Sequence, residues 1–198
     1  MCPEGKTAAS VSELPQLFER ASDHFGTLVA QIGEDQWSHP TPCSEWDVRQ
    51  LVGHLVYENV WAPPLFDGET IETVGDRFEG DILGSDPKAA WQQAAKGAVT
   101  VITATGAMER TVHLSWGDDK GAEYTSQLLL DHVVHGWDLA RGIGADDRIE
   151  PELLEDVYAR WKDREEMIRG AGVFGDQQPI PDDADTQTKL LALFGRKA

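Results

Sequence analysis

Basic residues are scarce in this 198-residue chain: 17 Lys and Arg face 35 Asp and Glu, a formal net charge of −18. The few that occur form no Lys/Arg cluster, which argues against nucleic acid or an anionic membrane surface as partner, because phosphate contacts demand a basic face. Cysteine is scarcer still. Cys2 and Cys43 cannot build a disulfide framework, and the first falls in a terminus expected to fray. No unbroken apolar run reaches the ~18 residues needed to cross a bilayer. The opening Met-Cys-Pro-Glu-Gly-Lys has no apolar run behind it, so no secretory signal is read there. Internal repeats and low-complexity tracts are absent too. The expectation is a cytoplasmic protein whose partner is a small-molecule substrate, with no nucleic acid and no membrane, and with a homodimer compatible with all of this.

What is present is ordinary for a soluble globular chain: 40 % apolar and 26 % charged residues, enough to exclude disorder on composition. The length suits one domain that buries around 70 % of its unfolded surface. We expect a single domain over residues 1–198, with a core over about 10–170 and a C-terminal extension over 171–198.

Helical periodicity dominates. Ser12 is placed to cap a first helix carrying Leu14, Leu17, Phe18, Ala21, Phe25, Leu28 and Ile32, with Gly33 as its stop. Two prolines in His39-Pro40-Thr41-Pro42 forbid continuation. Ser44, followed by Glu45 and Asp47, reads as the cap of a second helix that buries Val48, Leu51, Val52 and Leu55 and ends before Pro63-Pro64. The Gly-, Asp- and Glu-rich stretch from Ala62 to Ser85 reads as a long functional or mobile loop. Asp86-Pro87 opens a third helix running to Gly106. Residues 111–121 suggest a small hairpin or irregular crossover. A fourth helix runs from near Ser126 to Gly142, a fifth begins at Pro151, and a short apolar helix closes the chain around Leu190-Leu191-Leu193-Phe194. The sum is an all-α bundle with one long crossover.

Of the six histidines, His54, His132 and His135 stand at informative places inside these helices. Asp131 and His135 are four residues apart and project from nearly one helix face, a spacing that lets two side chains grip one cation. Imidazole suits Zn, Ni, Cu or Fe, and a carboxylate adds neutralising charge. His54, beside the apolar face of the second helix, is the best third ligand. The bland alternatives stand beside this: an Asp/His pair at this spacing is commonly a solvated or hydrogen-bonded pair, and a histidine near a core face is commonly a packing residue. His132 and His135 at i, i+3 form a rival set, since His132 and Asp131 lie about 100° apart on the helix.

Two longer patterns bear on that choice. Thr41-Pro-Cys-Ser-Glu-Trp-Asp-Val-Arg-Gln-Leu-Val-Gly-His54 has the form TPC-x-x-W-x-V-x-x-L-V-x-H. Asp131-His-Val-Val-His135-Gly-Trp-Asp138-Leu-Ala has the form acidic residue-x-x-x-His-x-x-Asp-Leu. Together with the tail from Pro179 to Arg196, they resemble the mycothiol-dependent maleylpyruvate isomerase N-terminal family of the DinB-like superfamily. The resemblance implies an up-down-down-up four-helix bundle holding a divalent metal at one end, zinc first and nickel second. It also implies His54, Asp131 and His135 as ligands, with Asp131 standing where the isomerase has Glu. Its thiol-dependent members imply mycothiol or another low-molecular-weight thiol as cosubstrate. That makes a metal-dependent thiol S-transferase or isomerase the expected enzyme, ahead of a hydrolase. A second domain that completes the isomerase site has no counterpart here, so maleylpyruvate itself is not the expected substrate.

Supporting roles carry their own alternatives. Asp138 either orients an imidazole N–H or pairs with Arg141 at i+3. Arg77 either meets an anionic substrate group or is solvated. Trp61 is a candidate pocket wall, whereas Trp46 and Trp137 read first as core. Cys43, near a helix start where a thiol pKa can fall, reads mainly as part of the packing motif. Three classes of function remain on sequence: a metal-dependent enzyme, a non-catalytic metal sensor or small-molecule binding module, and a helical bundle without metal.

Overall fold

The computed structural model describes residues 8–170 and 175–197; Cys2, and the first and last residues of the proposed C-terminal extension, lie outside them. Helix α1 (Leu14–Gln31) buries the apolar stripe read from the sequence, and Pro15 sits in its first turn, where a missing N–H costs nothing. Ser12 does not cap it. The Ser10 hydroxyl and amide both bond the Glu13 carboxylate instead, at 2.7 and 2.8 Å.

Helix α2 (Val48–Phe66) departs from expectation at both ends. Its cap is Asp47, not Ser44: the Asp47 carboxylate accepts from the Gln50 backbone N–H at 2.8 Å while the Gln50 side-chain Oε1 accepts from the Asp47 N–H at 3.0 Å, a reciprocal box. The helix also continues through Pro63 and Pro64. The two absent N–H groups fall in its last turn, and burial of Pro64, Leu65 and Phe66 holds that turn against the core. The connection that follows is therefore shorter than expected. It carries a one-turn helix α3 (Ile71–Val74), and Val74 and Leu83 are buried along it.

Helix α4 (Pro87–Ile102) starts as expected, with the Asp86 carboxylate accepting from the Ala89 N–H at 3.0 Å, but stops before Gly106. A 3-10 turn (Ala107–Glu109) leads into an antiparallel hairpin of β1 (Thr111–Leu114) and β2 (Gly117–Lys120), paired Thr111 to Lys120 through Leu114 to Gly117. Helix α5 (Gly121–Ile143) begins earlier than Ser126 because Gly121 fits where nothing larger would. A Cβ there would strike the Ala107 carbonyl and lie 2.8 Å from the Phe66 ring. Gly144, in the left-handed region at φ 72°, ends α5. Helices α6 (Pro151–Trp161), α7 (Glu165–Gly170) and α8 (Thr186–Leu193) complete the chain.

The four long helices form a ring in which α1 packs on α4 and α5, and α2 packs on those same two. This is the all-α, DinB-like bundle, with the small hairpin and a C-terminal helix added. Leu153, Val157 and Trp161 of α6 and Leu190 and Leu193 of α8 join the apolar cluster of α1 and α5. Helix α5 is thus covered on almost every side. Its polar side chains His132, His135 and Asp138 are buried with it, and each must find a partner inside. Among the described residues no helix is long and apolar enough to cross a membrane.

Candidate metal centre

Where the His39–Asp47 loop lies against α5, Gly142 permits close approach: a Cβ there would sit 3.2 Å from Thr41 and Val48. The Thr41 hydroxyl donates to the carbonyls of Trp46 at 2.8 Å and Cys43 at 3.2 Å, and Pro40 bridges to Asp47. The loop so folded lays the Trp46 indole over His54, ring centroids 4.5 Å apart, and beside His135 at 5.5 Å. Trp46 is therefore a wall of the cluster rather than simple core.

His54, Asp131 and His135 come together. One ligating atom from each lies within 4.8 Å of the others, and the two imidazoles stand edge to face at 5.2 Å. His54 Nε2 is 3.6 Å from Asp131 Oδ2, with the side chains 23 % and 22 % exposed. That separation is too long for a good hydrogen bond. It does match the roughly 3.4 Å between two donors at ~2.1 Å from a tetrahedral ion. Burial works against charge on both groups, but each holds the other charged: Asp131, helped by Glu58, raises the pKa of His54, and His54 lowers that of Asp131.

His132 takes the bland alternative. It is 1 % exposed, its Nδ1–H donates to the Leu128 carbonyl at 2.7 Å, and its Nε2 accepts from the Asn59 amide at 3.3 Å. Burial holds it neutral, with its pKa depressed to about 4. It is a satisfied core histidine, and the rival ligand set dissolves.

Asp138 does not pair with Arg141, which reaches Asp147 at 3.1 Å. It accepts from His135 Nδ1 at 3.0 Å, which leaves Nε2 of that ring as the free lone pair. It also receives Arg196 Nη2 at 2.7 Å. These two partners outweigh burial and lower the Asp138 pKa. Cys43, with His135 and Asp138, forms a second overlapping group whose ligating atoms lie within 4.8 Å of one another. Burial pushes the Cys43 thiol pKa up, against a nucleophilic role.

Arg77 and Trp61 are not drawn in. Arg77 forks onto Glu69 at 2.7 and 3.1 Å, and Trp61 packs on Tyr57 and Phe78. Glu58 joins the site as well, with a signal in the sequence: it follows His54 by one turn on the same face of α2. Burial, and then repulsion from Asp131, push its carboxyl up to about 7. Among the described residues neither Glu58 nor Asp131 has an Arg or Lys in ion-pair contact. Arg196 had no readable signal, since nothing local in the sequence ties it to Asp138.

Two carboxylates without a basic partner beside two imidazoles suit a divalent cation in charge and in donor type. Comparisons with known proteins give the family. Over 184 residues the chain is 33 % identical to the uncharacterized protein Rv0738 of Mycobacterium tuberculosis strain H37Rv, covering 90 % of this chain and 94 % of that protein. It is 23 % identical over 137 residues to the uncharacterized protein Rv0036c of the same strain, covering 62 % of this chain and 53 % of that one. No solved structure matches significantly. The sequence profile described as "Mycothiol maleylpyruvate isomerase N-terminal domain" matches residues 18–140, a span that takes in His54, Asp131 and His135, and the chain belongs to that family, within the DinB-like superfamily.

Proposed function

We propose that this protein binds one divalent cation through His54, Asp131 and His135, and acts as a metal-dependent enzyme joining a low-molecular-weight thiol of the mycothiol type to a small electrophile, by transfer or isomerisation. One observation carries the reading: ligating atoms of two imidazoles and a carboxylate, brought from separate helices, stand within 4.8 Å of one another, in a half-buried place where, among the described residues, no Arg or Lys pairs with them. Zinc is the first candidate for this donor set and nickel the second. When bound, such an ion lowers the pKa of a coordinated thiol or water into the neutral range.

The chain's own residues supply the remainder. Asp138 holds His135 in the tautomer that presents Nε2. Trp46 closes one side of the cluster and limits water around His54. Glu58, one turn from His54 on α2 with its carboxyl pushed up by burial and by Asp131, is suited to take the proton of an incoming nucleophile. The C-terminal segment belongs to the same unit, because Arg196 reaches Asp138.

The test begins with elemental analysis of purified, metal-loaded protein. A near-stoichiometric ion is expected in the parent and loss of it in His54→Ala and His135→Ala; unchanged content in both variants refutes the site. Turnover is then measured with mycothiol-like thiols and a panel of small electrophiles. Activity that survives removal of the metal overturns the mechanism, and inactivity across a broad panel in metal-loaded protein makes the chain a binding module.

A further inference from the structure

His135 stands between two donor sets. On one side are His54 and Asp131; on the other are Cys43 and Asp138, whose ligating atoms also lie within 4.8 Å of one another and of His135. A thiol, an imidazole and a carboxylate make a donor set that zinc accepts readily, and thiolate is the softer and stronger ligand of the two sides. One neutral imidazole serves one metal, so the two sets compete for His135.

The second set is already filled, by a cation of the chain itself. Arg196 is 8 % exposed. Its Nη2 lies 2.7 Å from Asp138 Oδ2, and its Nε lies 3.3 Å from both carboxylate oxygens. Its position is fixed from behind: Nη1 donates to the Phe194 carbonyl at 2.7 Å, and its backbone N–H donates to the Leu191 carbonyl at 2.9 Å. A metal held by Asp138, His135 and Cys43 would sit about 2.0–2.3 Å from each donor, using the carboxylate lone pairs that the guanidinium now occupies. It would also face that fixed positive charge at close range. Asp138 meanwhile accepts the Nδ1–H of His135, so that nitrogen is closed to a metal and Nε2 is open.

We propose that Arg196 is a resident cation that fills a latent Cys43–His135–Asp138 metal site and thereby directs an incoming ion to the His54–Asp131–His135 set. Arg196 acts as a positioning residue, through Asp138 and His135. It lies outside residues 18–140, the part of the chain that the family profile matches, so the device belongs to this chain's C-terminal segment. The proposal rests on the metal-binding reading above for the site that Arg196 leaves open.

Co²⁺ is the probe, because cobalt–thiolate coordination absorbs strongly in the near ultraviolet and nitrogen–oxygen coordination does not. The parent protein is expected to bind Co²⁺ without a thiolate band and to lose at least ~100-fold in affinity in His54→Ala. Arg196→Gln, which removes the resident charge, is expected to gain the band and to lose it again when Cys43→Ser is added. In the Arg196→Gln background, His54→Ala should cost less than ~10-fold. Arg196→Lys, which keeps the charge, should stay without the band. A band in the parent protein overturns the proposal, as does a folded Arg196→Gln protein that binds Co²⁺ without one.

Alkylation of Cys43 in the parent gives a check that needs no variant: its rate should be the same with and without bound Co²⁺, and protection by the ion would show Cys43 ligating despite Arg196. Failure of the underlying reading looks different. The parent then binds no Co²⁺, or binds it unchanged in His54→Ala, whatever Arg196→Gln does.

Discussion

Arg196 and Asp138 meet at 2.7 Å although 58 residues separate them in the chain, and both side chains are shut away from solvent. The guanidinium neutralises the carboxylate, the carboxylate accepts the Nδ1–H of His135, and the imidazole, grouped with His54 and Asp131, keeps its other nitrogen free to ligate. Three links thus run from the last turn of the chain to the candidate metal centre. A buried ion pair adds little net stability, but breaking it by removing one partner leaves an uncompensated charge.

Asp138→Asn is expected to weaken metal binding by about 10- to 100-fold, because the partner that orients a ligating imidazole is lost. It should also destabilise the metal-free protein by about 3–5 kcal/mol, since Arg196 is left buried without its counter-charge. Metal titration by calorimetry and denaturant unfolding measure the two effects. A variant that unfolds early yet binds metal with parental affinity would separate Asp138 from the site.

Glu58→Gln should move the same two measurements in opposite directions. A carboxyl whose pKa rises from 4.5 to about 7 on folding costs stability as pH climbs through that interval, and the cost persists above it. Replacing it by an amide should therefore stabilise the metal-free protein at pH 8, by on the order of 1 kcal/mol after solvent screening, with no gain at pH 4. Metal affinity at pH 8 should fall several-fold, because one of two uncompensated negative charges is removed. Thermal unfolding at both pH values, with chelator present, reads the first effect.

His132 gives a pH signature of the opposite sign. Its pKa drops from 6.5 to about 4 on folding, so the unfolded chain takes up a proton that the folded one refuses. Its contribution to stability is complete above pH 6.5, declines as pH falls from 6.5 to 4, and is flat below. In metal-free protein, the stability of His132→Leu relative to the parent should improve by about 3 kcal/mol between pH 7 and pH 4. A difference that stays constant across that range would mean that folding leaves the His132 pKa unshifted.

Gly121→Ala tests the packing that starts α5. The added methyl would meet the Ala107 carbonyl, a backbone atom that no rotamer change can move, and the Phe66 ring at 2.8 Å. A loss of about 1–3 kcal/mol is expected, visible as a lower denaturation midpoint. A neutral result would show that the hairpin end shifts freely.

Much of this architecture was legible because helical order is local. The apolar stripe of α1 and the Asp86-Pro87 start of α4 are set by near neighbours, and the structure keeps both; the hairpin over 111–121 also forms, but Gly117–Lys120 is its second strand rather than its turn, which is Ser115-Trp116. The errors came where two local signals competed. Ser44 reads as the cap of α2, but Asp47 takes that place because Gln50, three residues on, closes a reciprocal box with it. Pro63 and Pro64 signalled a stop, but burial of the turn that carries them outweighed their missing donors.

For the site, sequence by itself determined which residues were available and at what helical spacing: His54 near the apolar face of α2, and Asp131 and His135 one turn apart on α5. Those facts follow from a 3.6-residue period and need no knowledge of the rest of the molecule. Only the tertiary structure decided that His132 turns to Asn59 and Leu128 while His135 turns to Asp138, that Trp46 covers the imidazoles, and that Arg196 returns to the buried carboxylate. Even where the partners lie three or four residues apart on α5, as for His132 with Leu128 and His135 with Asp138, which partner an imidazole takes depends on what distant segments pack around that helix, and no local period encodes that.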